Sequence, residues 1–222
     1  MKQILSALGI LVLATGFSIA AGAQPQAEKD ENGLTIVQTP TRTGVWGDIV
    51  YGDPDAPIEL IEYASLTCPA CAEFATQGMP RLLDDFVSKG QVKFVFRNFV
   101  LNQYDLAAAS ASRCVATTDD AKSAIDDLFK EQADWLGGDN PYLGMSEIMA
   151  RHGLEQDALG QCISDQEVQL HIVQMRQRGL EEHEVNATPT FVLNGVPMPY
   201  PGYDRLRLRL ATLLATQSLT GN

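Results

Sequence analysis

The chain has 222 residues, 45% of them hydrophobic, and a formal net charge of −12. An acidic balance of this size argues against nucleic acid and anionic membrane surfaces as partners. Beyond that it mainly serves solubility, so function has to be sought in local motifs.

The N-terminus reads as an export signal. Lys2 is a minimal positive region, Ile4 to Ala14 is apolar apart from Ser6 and Gly9, and Ala21-Gly22-Ala23 is a small-x-small cleavage site. These features predict a signal peptide over 1–23, cleaved after Ala23, and a soluble periplasmic protein starting at Gln24. A membrane anchor is the alternative, but the apolar part is short and lacks charged flanks on its far side. No cysteine precedes Cys68, which argues against a lipoprotein anchor at this site. Removing the first 23 of 222 residues leaves 199, and the charge becomes −13 as Lys2 departs. That length suffices for one domain with a sizeable core, or a domain plus an insertion.

Gln24 to Thr43 is mostly polar, with breaks at Pro25 and Thr39-Pro40-Thr41, and reads as a loose leader. Asp48 to Tyr51 is a short strand pattern, followed by the turn-rich Gly52 to Pro57. Ile58 to Ala64 reads as a largely buried strand. Cys68-Pro69-Ala70-Cys71 comes next, and Ala72, Ala75, Met79, Leu82, Leu83 and Phe86 then recur at helical spacing up to Gly90. Pro80 inside that pattern predicts a kink. Val92, Phe94 and Phe96 alternate with Lys93, Val95 and Arg97 as a strand with unequal faces.

From Gln103 to His183 the sequence is helical, with stretches near 104–117, 121–134, 145–151, 155–163 and 165–183. Strand patterning returns at Thr190 to Leu193, where Asn194-Gly195 is a hairpin turn. A last helix places Tyr203, Leu206, Leu210 and Leu213 on one face. The chain is therefore α/β, with strand-containing segments flanking a helical block. The expected division is a signal peptide over 1–23, a flexible leader over 24–45, a strand-containing domain over 46–102 and 184–218, and a helical insertion over 103–183.

The Cys68–Cys71 spacing carries the chemistry. With Cys68 at a helix N-cap, Pro69 takes the first helical position, where a missing N–H costs nothing. The unpaired amides and the positive end of the dipole then favour a Cys68 thiolate, while Cys71, one turn inside, is buried and protonated. Such a pair cycles between dithiol and reducible disulfide. Half of a zinc site is an alternative, but it needs two more ligands, and His152, His171 and His183 are not spaced to supply them. An inert disulfide is another, though so short a loop gains little chain entropy. Cys114 and Cys162 lie in different helical stretches. In an oxidising compartment they form a structural disulfide around 47 intervening residues, contributing up to about 4 kcal/mol. Two free buried thiols, or a second redox pair, are the alternatives.

Glu62 to Cys71 and Thr188-Pro189-Thr190-Phe191-Val192-Leu193-Asn194-Gly195 together resemble the DsbA family of thiol–disulfide oxidoreductases, in the thioredoxin superfamily. The similarity is tight over 57–101 and 185–204. The helical block matches the insertion that family carries between its third strand and the cis-proline strand. The resemblance implies that Cys68 is the nucleophile, Cys71 the resolving cysteine, and Pro189 a cis-proline facing them. The Thr188 backbone, with Pro69 and Ala70 beside the nucleophile, would meet the substrate strand. Glu62 would be a buried acid relaying the Cys71 proton. No metal or cofactor beyond the redox-active disulfide is implied.

Two positions depart from the strong oxidases of that family. Ala70 replaces a histidine that contacts the thiolate, and Thr188 stands where some members have valine. Both point to an oxidase of intermediate strength. The expected partners are reduced exported polypeptides and a quinone-linked, DsbB-like membrane reoxidase, acting with a monomer because the leader lacks heptads. The rivals are an isomerase or reductase kept reduced by a membrane donor, and a non-catalytic chaperone or metal-resistance accessory. Phe74, Phe99, Tyr104 and Pro199-Tyr200-Pro201 could line a peptide groove or be core, and the histidines and the Asp119-Asp120 and Asp126-Asp127 pairs read as solvated or helix-terminal.

Overall fold

A computed structural model of the chain describes residues 28–29, 35–36 and 44–220. The expected signal peptide and its cleavage site, and most of the leader, lie outside the described residues. The chain divides into two units, Met1–Thr39 and Pro40–Asn222. In the first, β1 (Glu28–Lys29) pairs antiparallel with β2 (Thr35–Ile36). A minimal ribbon thus stands within the segment that polarity alone marks as loose.

The second unit is built on a sheet of β3 (Ile49–Tyr51), β4 (Ile58–Ala64), β5 (Val92–Asn98), β6 (Thr190–Leu193) and β7 (Val196–Pro199), in the order β3-β5-β4-β6-β7. Only β4 and β5 run parallel, and a parallel neighbour requires a crossover. The crossover is α1 (Pro69–Glu73), one π turn over Phe74–Gly78, and α2 (Met79–Asp85). The kink expected at Pro80 takes this form because proline has no N–H and crowds the carbonyl four residues back. A wider turn, closed by Met79 N–H on the Phe74 carbonyl, absorbs the misfit.

Between β5 and β6 come α3 (Gln103–Arg113), α4 (Thr118–Lys130), α5 (Gln132–Gly137), α6 (Pro141–Ala150), α7 (Gln156–Ser164) and α8 (Gln166–His183); α9 (Tyr203–Thr220) ends the described chain. Asn102, Thr117, Asn140 and Asp165 cap four of these helices with side-chain oxygens. Asp120 completes a capping box with Thr117, so that acid has a structural partner. Asn194 and Gly195 both adopt positive φ, as the tight β6–β7 turn requires. This is the thioredoxin arrangement with a helical insertion.

The centre of the sheet is covered on both faces, so six of the seven residues of β4 are buried. Ile58, Leu60 and Ala64 pack with Phe94, Phe96 and Phe191 on one face, under Phe74 and Leu82 of the crossover and Leu206 and Leu210 of α9. Ile61 and Tyr63 pack with Val95 and Val192 on the other, against Val185 and Leu180. Helix α8 comes so close here that a Cβ on Gly179 would lie 2.8 Å from the Tyr63 ring. The alternation also assigns Glu62 to the face that α1 covers.

Cys114, just after α3, is bonded to Cys162 of α7, with Cα atoms 6.2 Å apart. His183 ends α8 with Nδ1 3.1 Å from the Tyr63 hydroxyl, and His152 Nε2 lies 3.1 Å from the Asp127 carboxylate. His171 departs from its solvated expectation. It sits inside α8, edge-on to Trp46, and burial pushes its pKa down to about 4. Phe74 and Phe99 are fully buried, so of the aromatic groove candidates only Tyr104 and Tyr200 keep partial exposure.

Candidate active site

Cys68 is the N-cap of α1, with extended backbone (φ −89°, ψ 120°), and Pro69 follows as the first helical residue. The Cys68 carbonyl accepts from the Cys71 and Ala72 N–H groups, both at 3.1 Å. The sulfur is therefore held at the end of a helix, where the Ala70 and Cys71 amides face it. Both cysteines are free thiols here; Cys68 is half-buried and Cys71 wholly buried. Pro69 and Ala70 are exposed beside them.

Several groups converge on the Cys68 sulfur. The Cys71 thiol is the largest influence, donating to it and drawing its pKa down to about 5 against the opposing cost of burial. The Thr188 side chain and the backbone amides of Cys71 and Ala70 act in the same direction. Cys68 is then mostly thiolate at neutral pH. Cys71 moves the other way: burial first, and then the hydrogen bond it gives Cys68, push its thiol well up. One sulfur is ready to react and the other holds its proton.

The Thr188–Pro189 peptide is cis and stands opposite the cysteines. The Thr188 carbonyl lies 3.4 Å from Cys68 Sγ. Residues 120 positions apart meet because β4 and β6 are neighbours in the sheet, with Glu62 paired to Phe191 and Tyr63 to Thr190.

Glu62 is 2% exposed, lies between Phe96 and Phe191 on adjacent strands, and its Oε1 has no hydrogen-bond partner. Burial first, and the Cys68 charge second, raise its pKa well above the ordinary carboxylate range. A protonated carboxyl thus lies on the face occupied by Cys71.

Three further side chains hold the turn that carries Cys68, and sequence patterns did not mark them as such. Asp105 of α3 is fully buried, and its two oxygens accept from the Leu66 and Leu101 N–H groups, each at 2.8 Å. Burial pushes Asp105 up to about 6, although the Ser65 hydroxyl and these two amides favour its charge. Gln132 of α5 donates from Nε2 to the Leu66 carbonyl at 2.9 Å and the Cys68 carbonyl at 3.1 Å. Asn102 Nδ2 reaches Thr67 Oγ1 at 3.0 Å, and that hydroxyl lies 3.1 Å from Ser65 Oγ. The one local signal was Asn102 with Asp105 three residues later, the spacing of a helix cap. Among the described residues no cluster of His, Cys, Asp or Glu could hold a metal ion.

A protein-family model described as Thioredoxin matches residues 45–207. Among solved structures, alpha-DsbA1 of Wolbachia pipientis is similar at a TM-score of 0.72 and 27% identity, covering 79% of this chain and 95% of that one. Disulfide bond formation protein D of Bacillus subtilis is 26% identical over 169 residues, 72% of this chain and 74% of its own length. A Rickettsia bellii protein, named provisionally as a protein-disulfide oxidoreductase, is 26% identical over 149 residues, 67% of this chain. The chain spans only 58% of that relative's length. With the sheet order, the helical insertion and the facing cysteine and cis-proline elements, these matches show that the chain belongs to the thioredoxin family, as a DsbA-like member.

Proposed function

We propose that this protein is a periplasmic thiol–disulfide oxidoreductase that passes a Cys68–Cys71 disulfide to exported polypeptides. The observation that carries this is the split between two sulfurs one helical turn apart: Cys68 drawn to about 5 and Cys71 pushed up. That split suits a reactive and a resolving thiol, and the named relatives are of the same chemical class.

In the oxidised form a substrate thiolate attacks Cys68 Sγ. The Cys68–Cys71 bond breaks, its electron pair passes to Cys71, and a mixed disulfide links substrate and Cys68. Cys71 takes up one proton, and Glu62, buried and protonated on that face, is placed to relay it. A second substrate thiolate then attacks the substrate sulfur of the mixed disulfide and expels Cys68. A thiol of low pKa leaves readily. The substrate loses two electrons, and the enzyme ends as Cys68 thiolate and Cys71 thiol. Thr188, Pro69 and Ala70 line the approach to Cys68, with the Thr188 backbone pairing with the substrate strand beside cis-Pro189.

The apolar N-terminal segment and its cleavage pattern support export, and among the described residues no helix is long and apolar enough to cross a membrane. Reoxidation falls to a quinone-linked, DsbB-like membrane partner, and the enzyme works as a monomer divided at the boundaries given above. Ala70 offers the thiolate only its backbone N–H, which favours intermediate oxidising strength. A second reading, an isomerase or reductase kept reduced by a membrane donor, is favoured by Thr188, which sits beside the sulfur.

The test is disulfide transfer. Oxidised protein mixed with a reduced two-cysteine peptide should yield one peptide disulfide per protein, and Cys68→Ser should yield none. Transfer that survives Cys68→Ser, or none from the native protein, overturns the reading.

A further inference from the structure

The turn from β4 to α1 is short, and its own backbone supplies few restraints beyond Cys68 N–H on the Ser65 carbonyl at 3.2 Å. The Thr67 N–H turns back to Ser65 Oγ at 3.1 Å, and the Leu66 and Cys68 peptide groups are met by the helical insertion. Leu66, fully buried, is held there through both of its peptide groups: its N–H by Asp105 Oδ1 and its carbonyl by Gln132 Nε2. Gln132, itself 7% exposed, forks across the turn to the Cys68 carbonyl as well. That carbonyl also receives the Cys71 and Ala72 N–H groups that close the first turn of α1. A single amide of the insertion therefore ties the residue that enters the turn to the first hydrogen bonds of the helix that leaves it.

We propose that Gln132 is a positioning residue for thiol–disulfide exchange, through which the helical insertion sets where Cys68 stands relative to the first amides of α1. This rests on the exchange function proposed above. Simple satisfaction of buried polar groups would stabilise the fold and leave the sulfur unaffected. Positioning does more, because thiolate stabilisation by a helix N-terminus falls off within one turn and depends on the sulfur staying aligned with those amides. Without the donors of Gln132, the Leu66 and Cys68 carbonyls lose a partner and the turn relaxes away from the helix end.

The experiment is a pH titration of Cys68 in the reduced protein, read as alkylation rate by a small thiol reagent, for the native chain, Gln132→Asn and Gln132→Met. Asparagine keeps the amide but is one methylene short, and methionine keeps the size without donors. The midpoint should rise in that order, with the methionine variant displaced by about one unit, roughly tenfold less thiolate at acidic pH. If Gln132→Met does not fold, the smaller rise in Gln132→Asn carries the test. A folded variant that is less stable to denaturant but has an unmoved midpoint overturns the positioning role. Disulfide transfer by the native protein, measured in parallel, separates the two claims: no transfer sinks the exchange function, and transfer with unmoved midpoints sinks only the role of Gln132.

Discussion

The chain carries two cysteine pairs whose surroundings could hardly differ more. Cys68 and Cys71 stand one turn apart at a helix N-terminus, half in reach of solvent, with amides, a thiol and Thr188 all favouring a thiolate. Cys114 and Cys162 are 48 residues apart and join the end of α3 to α7, with Cys162 buried. Closing a long loop constrains the unfolded chain, and closing a very short one does little. Sulfur chemistry is therefore set by where the fold puts the pair: one is placed for the proposed exchange, and the other is bonded between two helices.

The largest effect that sharpens this contrast comes from removing the bonded pair. Cys114→Ala with Cys162→Ala should lower unfolding free energy by up to about 4 kcal/mol while peptide oxidation by Cys68–Cys71 proceeds as before. Denaturant melts and the transfer assay check the two halves. Loss of transfer in a folded double variant would mean that the second pair relays electrons.

Glu62 gives a pH signature of intermediate size. Its folded pKa is raised, so the native protein holds a proton that the unfolded chain has released, and stability falls as pH rises above the ordinary value of 4.5. Asp105, pushed up to about 6 from 3.8, adds a slope of the same sign between those values. Glu62→Gln should flatten the decline and stabilise the protein at neutral pH, while slowing release of Cys71. Denaturation series across pH test the first, and single-turnover transfer tests the second. A steeper decline in the variant would contradict the assignment.

Thr188→Val gives the smallest expected change. Valine keeps the Thr188 carbonyl beside the sulfur and removes only the side-chain influence that favours the thiolate, so the Cys68 midpoint should rise by less than about one unit. An unchanged midpoint would leave the stabilisation to Cys71 and the backbone.

Much of the frame was legible because it is written locally. A largely buried strand pattern marked β4, alternation marked β5, Asn194-Gly195 marked the hairpin, and Cys68-Pro69 marked a helix start, all within a few residues. The pairing of Cys68 with Thr188 came through the family resemblance, since no local rule links positions 120 apart. Asp105 and Gln132 stayed hidden for the same reason. Their partners at Leu66 lie 39 and 66 residues away, and a lone acid or amide in a helix has no pattern that reveals a distant backbone group. The π turn before Pro80 was visible only as a kink, because proline dictates that the ladder must change but not how.

If Cys68–Cys71 donates its disulfide, the redox state of that pair in living cells must show it. Acid quenching and alkylation of the protein in cells report both pairs in one sample. Cys68–Cys71 is expected mostly as disulfide, alongside an intact Cys114–Cys162 bond. A pair found mostly as dithiol, with the Cys114–Cys162 bond still closed, would contradict donation and turn the direction of electron flow around.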